Sequence, residues 1–229
     1  MTLEQFFAEN REVAIAFSGG VDSAYLLYAA TRYAARVKAY YVSTAFQPSF
    51  ELADARRLAN ELGADMQVLH VDVLVSGAVV ENPPDRCYHC KNTLFRQILR
   101  AAESDGFALL LDGTNASDDA GDRPGMRALR ELSVRSPLRE CGLTKAEIRR
   151  LSKEAGLFTW DKPAYACLAT RIRTGEEITL QKLKQTEKAE GFLFGLGFRD
   201  FRVRMVDNTA KLELREADLP LLLENREKI

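Results

Sequence analysis

Two groups of residues in this 229-residue chain have the types and spacing to do chemistry. The first is Ser18-Gly19-Gly20-Val21-Asp22-Ser23. Its two glycines let backbone N–H groups approach an anion with no Cβ in the way, and Ser18 and Ser23 add hydroxyl donors. Val13-Ala14-Ile15-Ala16-Phe17 precedes it as a strand, and Ala24-Tyr25-Leu26-Leu27 follows as a helix, so partial positive charge from the helix N-terminus falls on the loop. No Gly-Lys-Ser/Thr follows, so no lysine is set to grip a γ-phosphate in the Walker manner. The plainer alternative is an ordinary strand-to-helix turn.

The second group is cysteine. Cys87 and Cys90 form a Cys-X-X-Cys pair, and Cys167 lies far off in sequence in a segment able to reach the same place; Cys141 has no partner at useful spacing and reads as structural. In a reducing compartment such thiols serve metal binding, catalysis or burial in preference to disulfides. Three thiolates on a [4Fe–4S] cluster leave one iron open to a labile hydrosulfide. Zinc held with His89, a cycling Cys87–Cys90 disulfide, Cys167 as nucleophile or sulfur donor, and three buried apolar cysteines are the competing readings. Proline, arginine, lysine and tyrosine neighbours argue against the last.

The elements that must position these groups alternate. Thr2 to Asn10 reads as a leading helix, Val37 to Ser43 and Met66 to Val71 as strands, Phe50 to Leu62 as a helix ending at Gly63, Leu94 to Ala102 as a helix, and Phe107 to Leu111 as a buried strand delivering Asp112-Gly113-Thr114-Asn115 into a loop. This order predicts an α/β fold with a doubly wound parallel sheet, in which both loops open on one crevice beyond the carboxyl ends of the strands. Gly121 to Gly125 is a polar loop with a short helix after it, and Thr144-Lys145-Ala146-Glu147 is a capping box for a helix to about Ala155. A boundary is expected near Gly175, dividing residues 1–175 from a smaller α/β domain at 176–229, with a helix from Glu176 to about Leu196, strands at Phe201–Val206 and Ala210–Leu214, and a helix from Glu216 to Glu224. Arg202 and Arg204 alternate on the first of these strands, a spacing that turns two guanidiniums to one face for phosphate or carboxylate, or leaves them solvated.

With 46% hydrophobic residues the chain is no disordered polymer, and its net charge of −1 does not provide a broad basic surface for nucleic acid. The N-terminus has no secretory pattern and no apolar run reaches spanning length, so a cytoplasmic location without membrane attachment is expected.

SGGVDS resembles the pyrophosphate loop (PP-loop) of the ATP pyrophosphatases, which split ATP into AMP and pyrophosphate. Taken with Asp112-Gly113-Thr114-Asn115, Arg135-Ser136-Pro137-Leu138, Lys162-Pro163, Cys167-Leu168-Ala169-Thr170-Arg171 and Arg202-Val203-Arg204, it resembles the LarE family over nearly the whole chain. That resemblance implies binding of ATP by residues 18–23 and 112–115, Asp22 beside a Mg²⁺, and adenylation of a carboxylate of pyridinium-3,5-biscarboxylic acid mononucleotide, with oxygen then replaced by sulfur. It places Cys167 where one branch sacrifices a sulfur, leaving dehydroalanine. Cys87 and Cys90 beside it match the branch with a [4Fe–4S] cluster and a sulfide donor, and Arg171, Glu190, Arg202 and Arg204 become substrate-pocket candidates. Arg171 and Glu190 taken alone read as surface salt-bridge partners. The resemblance further implies a homo-oligomer, and a final strand and tail in relatives where this chain ends at Ile229. A tRNA thiolation enzyme and a noncatalytic nucleotide-binding redox or metal sensor are the alternatives; steep salt-dependent tRNA binding would mark the former.

Overall fold

A computed structural model describes residues 1–118, 124–206 and 209–229. The polar loop expected at Gly121–Gly125 therefore lies largely outside the described residues. Four parallel strands make the main sheet in the order β3-β2-β1-β4, with β1 Glu12–Ala16, β2 Arg36–Ser43, β3 Asp65–His70 and β4 Leu110–Leu111. The alternation along β1 divides the core: Val13, Ile15 and Phe17 face a layer built from α1 Leu3–Glu9, α2 Val21–Tyr33 and α3 Ser49–Glu61, while Ala14 turns to the other side with Tyr40, Ile98, Ala102 and Leu110. Both faces are thus covered, as a parallel sheet requires.

Helices α4 Gly77–Val80 and α5 Arg86–Ser104 follow β3; α6 Pro124–Glu131, α7 Pro137–Glu140 and α8 Lys145–Glu154 follow β4. The capping box holds: Thr144 accepts from the Glu147 N–H at 3.3 Å, and the Glu147 carboxylate accepts from the Thr144 N–H at 2.9 Å. The last strand of the sheet is shorter than the expected Phe107–Leu111. Gly106 turns at φ +82°, the Ala14 N–H donates to the Leu109 carbonyl, and regular pairing is confined to Leu110 and Leu111.

The C-terminal part is α9 Leu180–Gly195 and an antiparallel pair, β5 Phe201–Val206 with β6 Thr209–Leu214, followed by a 3₁₀ turn and α10 Leu219–Glu224. Helix α9 starts four residues later than Glu176. Gly175 and Ile178 donate backbone hydrogen bonds to the Asn82 and Val80 carbonyls, holding the chain away from helical geometry until the Thr179 side chain caps Lys182. A buried cluster of Phe46, Val79, Leu168, Ile172, Ile178 and Leu183 lies where this part meets the sheet. Among the described residues no helix is long and apolar enough to cross a membrane.

Candidate functional site

Strand β1 ends into the loop and α2 begins at Val21 with Gly20 as a cap that supplies no side-chain acceptor, so the first amides of a 13-residue helix stay available to an incoming anion. The loop is fixed internally. Ser18 and Ser23 hydroxyls lie 3.0 Å apart, the Ser23 hydroxyl donates to the Gly20 carbonyl at 3.1 Å, and the Gly20 N–H donates to the Ser18 hydroxyl at 3.4 Å. Two glycines are required sterically. Gly19 has φ +73° and its missing Cβ would stand 3.3 Å from that of Ala55 on α3, while a Cβ on Gly113 would stand 2.8 Å from the Ser23 nitrogen.

That close approach explains Asp112-Gly113-Thr114-Asn115. The expected shared crevice is reached by contact: the segment packs behind the loop instead of lining the cavity in front of it. Asp112 accepts from the Ser136 hydroxyl at 2.6 Å and the Thr114 hydroxyl at 2.5 Å, and Asn115 accepts from the Ser117 N–H at 2.8 Å. These buried side chains hold the shape of the wall on which Ser23 rests.

In front of the loop is a cavity of about 520 Å³ walled by Ser18, Gly20 and Asp22 on one side, by Tyr40, Val42, Phe95 and Ile98 on an apolar side, and by Lys162 to Tyr165 and Cys167 on a third. Such a mix of flat apolar surface and convergent amides and cations suits a nucleotide. Asp22 Oδ2 accepts from Lys145 Nζ at 2.5 Å, whereas its buried Oδ1 has no protein partner among the described residues. Burial raises the Asp22 pKa and Lys145 opposes the rise. A half-satisfied buried carboxylate is the donor type a hard divalent cation takes.

The cysteines are brought together by helix α5. Cys87 and Cys90 fall within its first two turns and not in an irregular segment, so their three-residue spacing puts both on one face. Cys167 opposes them from the 3₁₀ turn Leu168–Arg171. Burial, followed by repulsion from Cys167 and Cys87, pushes the Cys90 thiol up to about 12, and burial also raises Cys167. Arg86 binds the two elements: its guanidinium donates to Asn82 Oδ1 at 2.6 Å and to the Ala169 carbonyl at 3.0 Å, and contacts Cys87 Sγ at 3.7 Å. All four cysteines are free thiols. Among the described residues no three ligating side chains converge on a single ion, and His89 turns to Asp85 at 3.3 Å, away from the competing zinc reading that would have used it. A cluster makes a different demand, since each thiolate meets its own iron and the sulfurs need not share a focus.

The expected pair Arg202 and Arg204 divides. Arg202 lines a small cavity adjoining the first through Lys162 to Tyr165. Arg204 is occupied by Glu213 at 2.8 Å and by the Thr170 carbonyl at 2.7 Å, bracing the turn after Cys167. Arg171 and Glu190 do pair, but in the interior: their side chains are 1% and 2% exposed and 2.8 Å apart. Glu190 also accepts from Tyr165 and from the Val203 N–H at 2.9 Å, so both residues lock the cysteine turn against α9 and β5 instead of sitting at the surface.

Sequence reasoning missed Lys145, Glu51 and Arg86. Lys145 was visible only as a filler of the capping box, Glu51 as a polar residue early in a helix, and Arg86 as a neighbour of cysteine. Their roles come from contacts across 83 to 123 residues of chain in the cases of Arg86 and Lys145.

Comparison with known proteins agrees with this geometry. The family described as asparagine synthase matches residues 4–115. Pyridinium-3,5-bisthiocarboxylic acid mononucleotide synthase of Lactiplantibacillus plantarum is 34% identical over 218 residues, covering 94% of this chain and 79% of that protein. An uncharacterized protein of Synechocystis sp. is 39% identical over 215 residues, covering 93% of this chain and 80% of its own. A tRNA-specific 2-thiouridylase of Thermotoga petrophila is 26% identical over 188 residues, 64% of this chain and 52% of that protein.

Proposed function

Because the chain belongs to the LarE-type family of PP-loop ATP pyrophosphatases, we propose that it adenylates a carboxylate of pyridinium-3,5-biscarboxylic acid mononucleotide and replaces a carboxylate oxygen with sulfur. The observation that carries this reading is that the loop and Cys167 are walls of one cavity, so an acyl adenylate formed at the loop stays beside the thiols. In this reading residues 1–175 provide the ATP site and 176–229 contribute Arg202 to the substrate side.

The substrate carboxylate is a poor electrophile because its leaving oxygen is strongly basic. Attack on the α-phosphorus replaces that leaving group with AMP. The backbone amides at the start of α2, from Val21 onward, stabilise the charge developing on pyrophosphate without reorganisation, while the Gly20 N–H and the Ser18 and Ser23 hydroxyls, bonded within the loop, hold its shape. Asp22 Oδ1 is the residue to hold a Mg²⁺, whose chemistry is to neutralise the same charge. Lys162, paired with Asp54 at 2.7 Å and 3.4 Å from the Gly19 carbonyl, supplies a cation between the loop and the small cavity. Arg202, with no ion-pair partner among the described residues, is the guanidinium suited to the substrate phosphate.

Cys87, Cys90 and Cys167 are the residues to hold a [4Fe–4S] cluster. When bound, the cluster would present sulfide at its open iron. The chain's contribution is to half-bury Cys90 and Cys167 and to hold the exposed Cys87 against Arg86. In this reading sulfur is supplied repeatedly and Cys167 is retained.

The test is incubation of anaerobically prepared protein with ATP, Mg²⁺, the pyridinium substrate and sulfide, following pyrophosphate release and product mass. Thiocarboxylate formed over many turnovers, with Cys167 intact by mass spectrometry and about four irons per chain lost in Cys87→Ala, is the expected result. Conversion of Cys167 to dehydroalanine would establish the sacrificial route instead. Pyrophosphate release that requires tRNA would replace the substrate.

A further inference from the structure

The adenylation half of the proposed reaction moves no proton, because a carboxylate attacks phosphorus. The sulfur-transfer half must release one, because hydrosulfide enters and a thiocarboxylate leaves. The cavity should therefore hold a proton acceptor that matters only to the second half.

Glu51 is placed for it. It stands in the first turn of α3 and its side chain lines the cavity that the loop and Cys167 share. The backbone sets it there: α3 passes so close to Gly19 that an added Cβ would meet the Glu51 carbonyl at 3.5 Å, and the Phe46 carbonyl, just before α3, accepts from the Leu168 N–H at 2.8 Å. The start of α3 and the cysteine turn are thus joined at the cavity rim. Among the described residues nothing hydrogen-bonds the Glu51 carboxylate. A fixed negative charge would be an odd wall for a nucleotide site, whereas a carboxyl that exchanges a proton would not.

We propose that Glu51 accepts the proton of the attacking hydrosulfide during sulfur transfer. The assignment rests on the sulfur-transferase reading above. The C–S bond forms as the C–O bond to AMP breaks, the electron pair leaving on the phosphate; the S–H proton passes to the Glu51 carboxylate and then to water. No electron is gained or lost. Burial raises the carboxyl to about 7, with Lys162 opposing and Asp54 reinforcing the rise, which is the range in which a general base works at neutral pH. The charged and titratable groups around it are Asp54 on its own helix, Tyr40 and Tyr41 from β2, Lys91 from α5, Lys162, Tyr165 and Cys167 from the segment that leads into the cysteine turn, and Asp22 and Lys145 across the cavity. The other groups are otherwise committed: Tyr41 and Tyr165 are pushed well above that range, Asp54 is engaged by Lys162, and Asp22 holds Lys145 with one oxygen and offers the other to the cation.

The experiment measures pyrophosphate released and thiocarboxylate formed in the same reaction, with inorganic sulfide as sulfur source, for wild-type protein, Glu51→Gln and Glu51→Asp from pH 5.5 to 9, the range being set about the ordinary general-base window. In Glu51→Gln the ratio of thiocarboxylate to pyrophosphate is expected to fall roughly 100-fold. The acid limb that the wild-type ratio shows near neutrality disappears, beyond the limb common to both proteins from sulfide's own ionisation. Glu51→Asp retains the limb with an intermediate ratio. An undiminished ratio in Glu51→Gln, or a fall in pyrophosphate release that accounts for all the lost product, overturns the assignment and leaves the sulfur-transferase reading standing. Failure of wild-type protein to release pyrophosphate with the pyridinium substrate overturns that reading, and this one with it.

Discussion

At the scale of single residues the site is governed by which charges have partners. Asp22 has one oxygen on Lys145 and one on nothing, so Lys145→Ala leaves both oxygens of a partly buried carboxylate uncompensated. Loss of a hydrogen bond to a charged group is worth about 1.5–3 kcal/mol, and the expected outcome is a roughly tenfold or larger rise in the ATP KM, measured by pyrophosphate release at saturating Mg²⁺. Glu51 gives a pH prediction for the ligand-free protein. Its folded-state pKa of about 7 lies above the ordinary 4.5, so the folded chain binds more protons between those values and stability falls as pH rises through them. The full penalty, on the order of 3 kcal/mol before allowance for solvent, is present above pH 7 and absent below pH 4.5. Glu51→Gln should flatten that slope in urea melts taken between pH 5 and 8. Equal slopes in the two proteins would show that the carboxyl is not shifted.

At the scale of elements the loop is shaped from behind and the cysteines from the side. Gly113→Ala would drive a methyl group to 2.8 Å from the Ser23 nitrogen and 3.1 Å from its Cα, both backbone atoms that cannot swing away. Overpacking of this kind costs about 1–3 kcal/mol, and here the strain falls on the anion loop; thermal melts and ATP affinity should both decline. Arg86→Met would leave the Ala169 carbonyl and Asn82 amide oxygen without their donor and detach α5 from the cysteine turn. If the three thiols hold the proposed cluster, the expected readout is a loss of iron out of proportion to the change in melting temperature, because they lose their common frame. Much of the element order was legible beforehand. The anion loop, the parallel sheet and the capping box are local or short-period patterns, and they appear as expected. The helical setting of Cys87 and Cys90 was obscured because Pro83 and Pro84 read as a break, yet the break ends at Asp85 and the helix starts at once. The late start of α9 was hidden because it depends on Asn82 and Val80 carbonyls about ninety residues away in sequence.

At the scale of the whole molecule the cysteine turn is joined to α9 and the C-terminal hairpin through an interior ion pair. Arg171→Met strands the Glu190 carboxylate in a site where it is 2% exposed, and breaking a buried pair in this way costs about 3–5 kcal/mol. For a chain of this length that corresponds to a fall of roughly 6–20 °C in melting temperature. The double variant Arg171→Met/Glu190→Leu should recover part of the loss, since no charge is then left unpaired. A melting temperature as low as the single variant's would mean that the pair works chiefly through its other hydrogen bonds. Arg171 and Glu190 show why the rest was illegible: nothing in either residue's neighbourhood in sequence marks it as interior, and only the convergence of Tyr165, the Val203 amide and α9 excludes water from them.

The cysteine turn is held at both ends, by the Phe46 carbonyl on Leu168 and by pairing of Ile172 with Met205. Those anchors are synthesised more than 150 residues apart, so a ribosome releases Cys87 and Cys90 long before β5 exists to seat Cys167 opposite them. A nascent chain therefore carries these two thiols without the opposing cysteine turn through about half of its translation, and the three-cysteine arrangement is among the last parts of the protein to come into being.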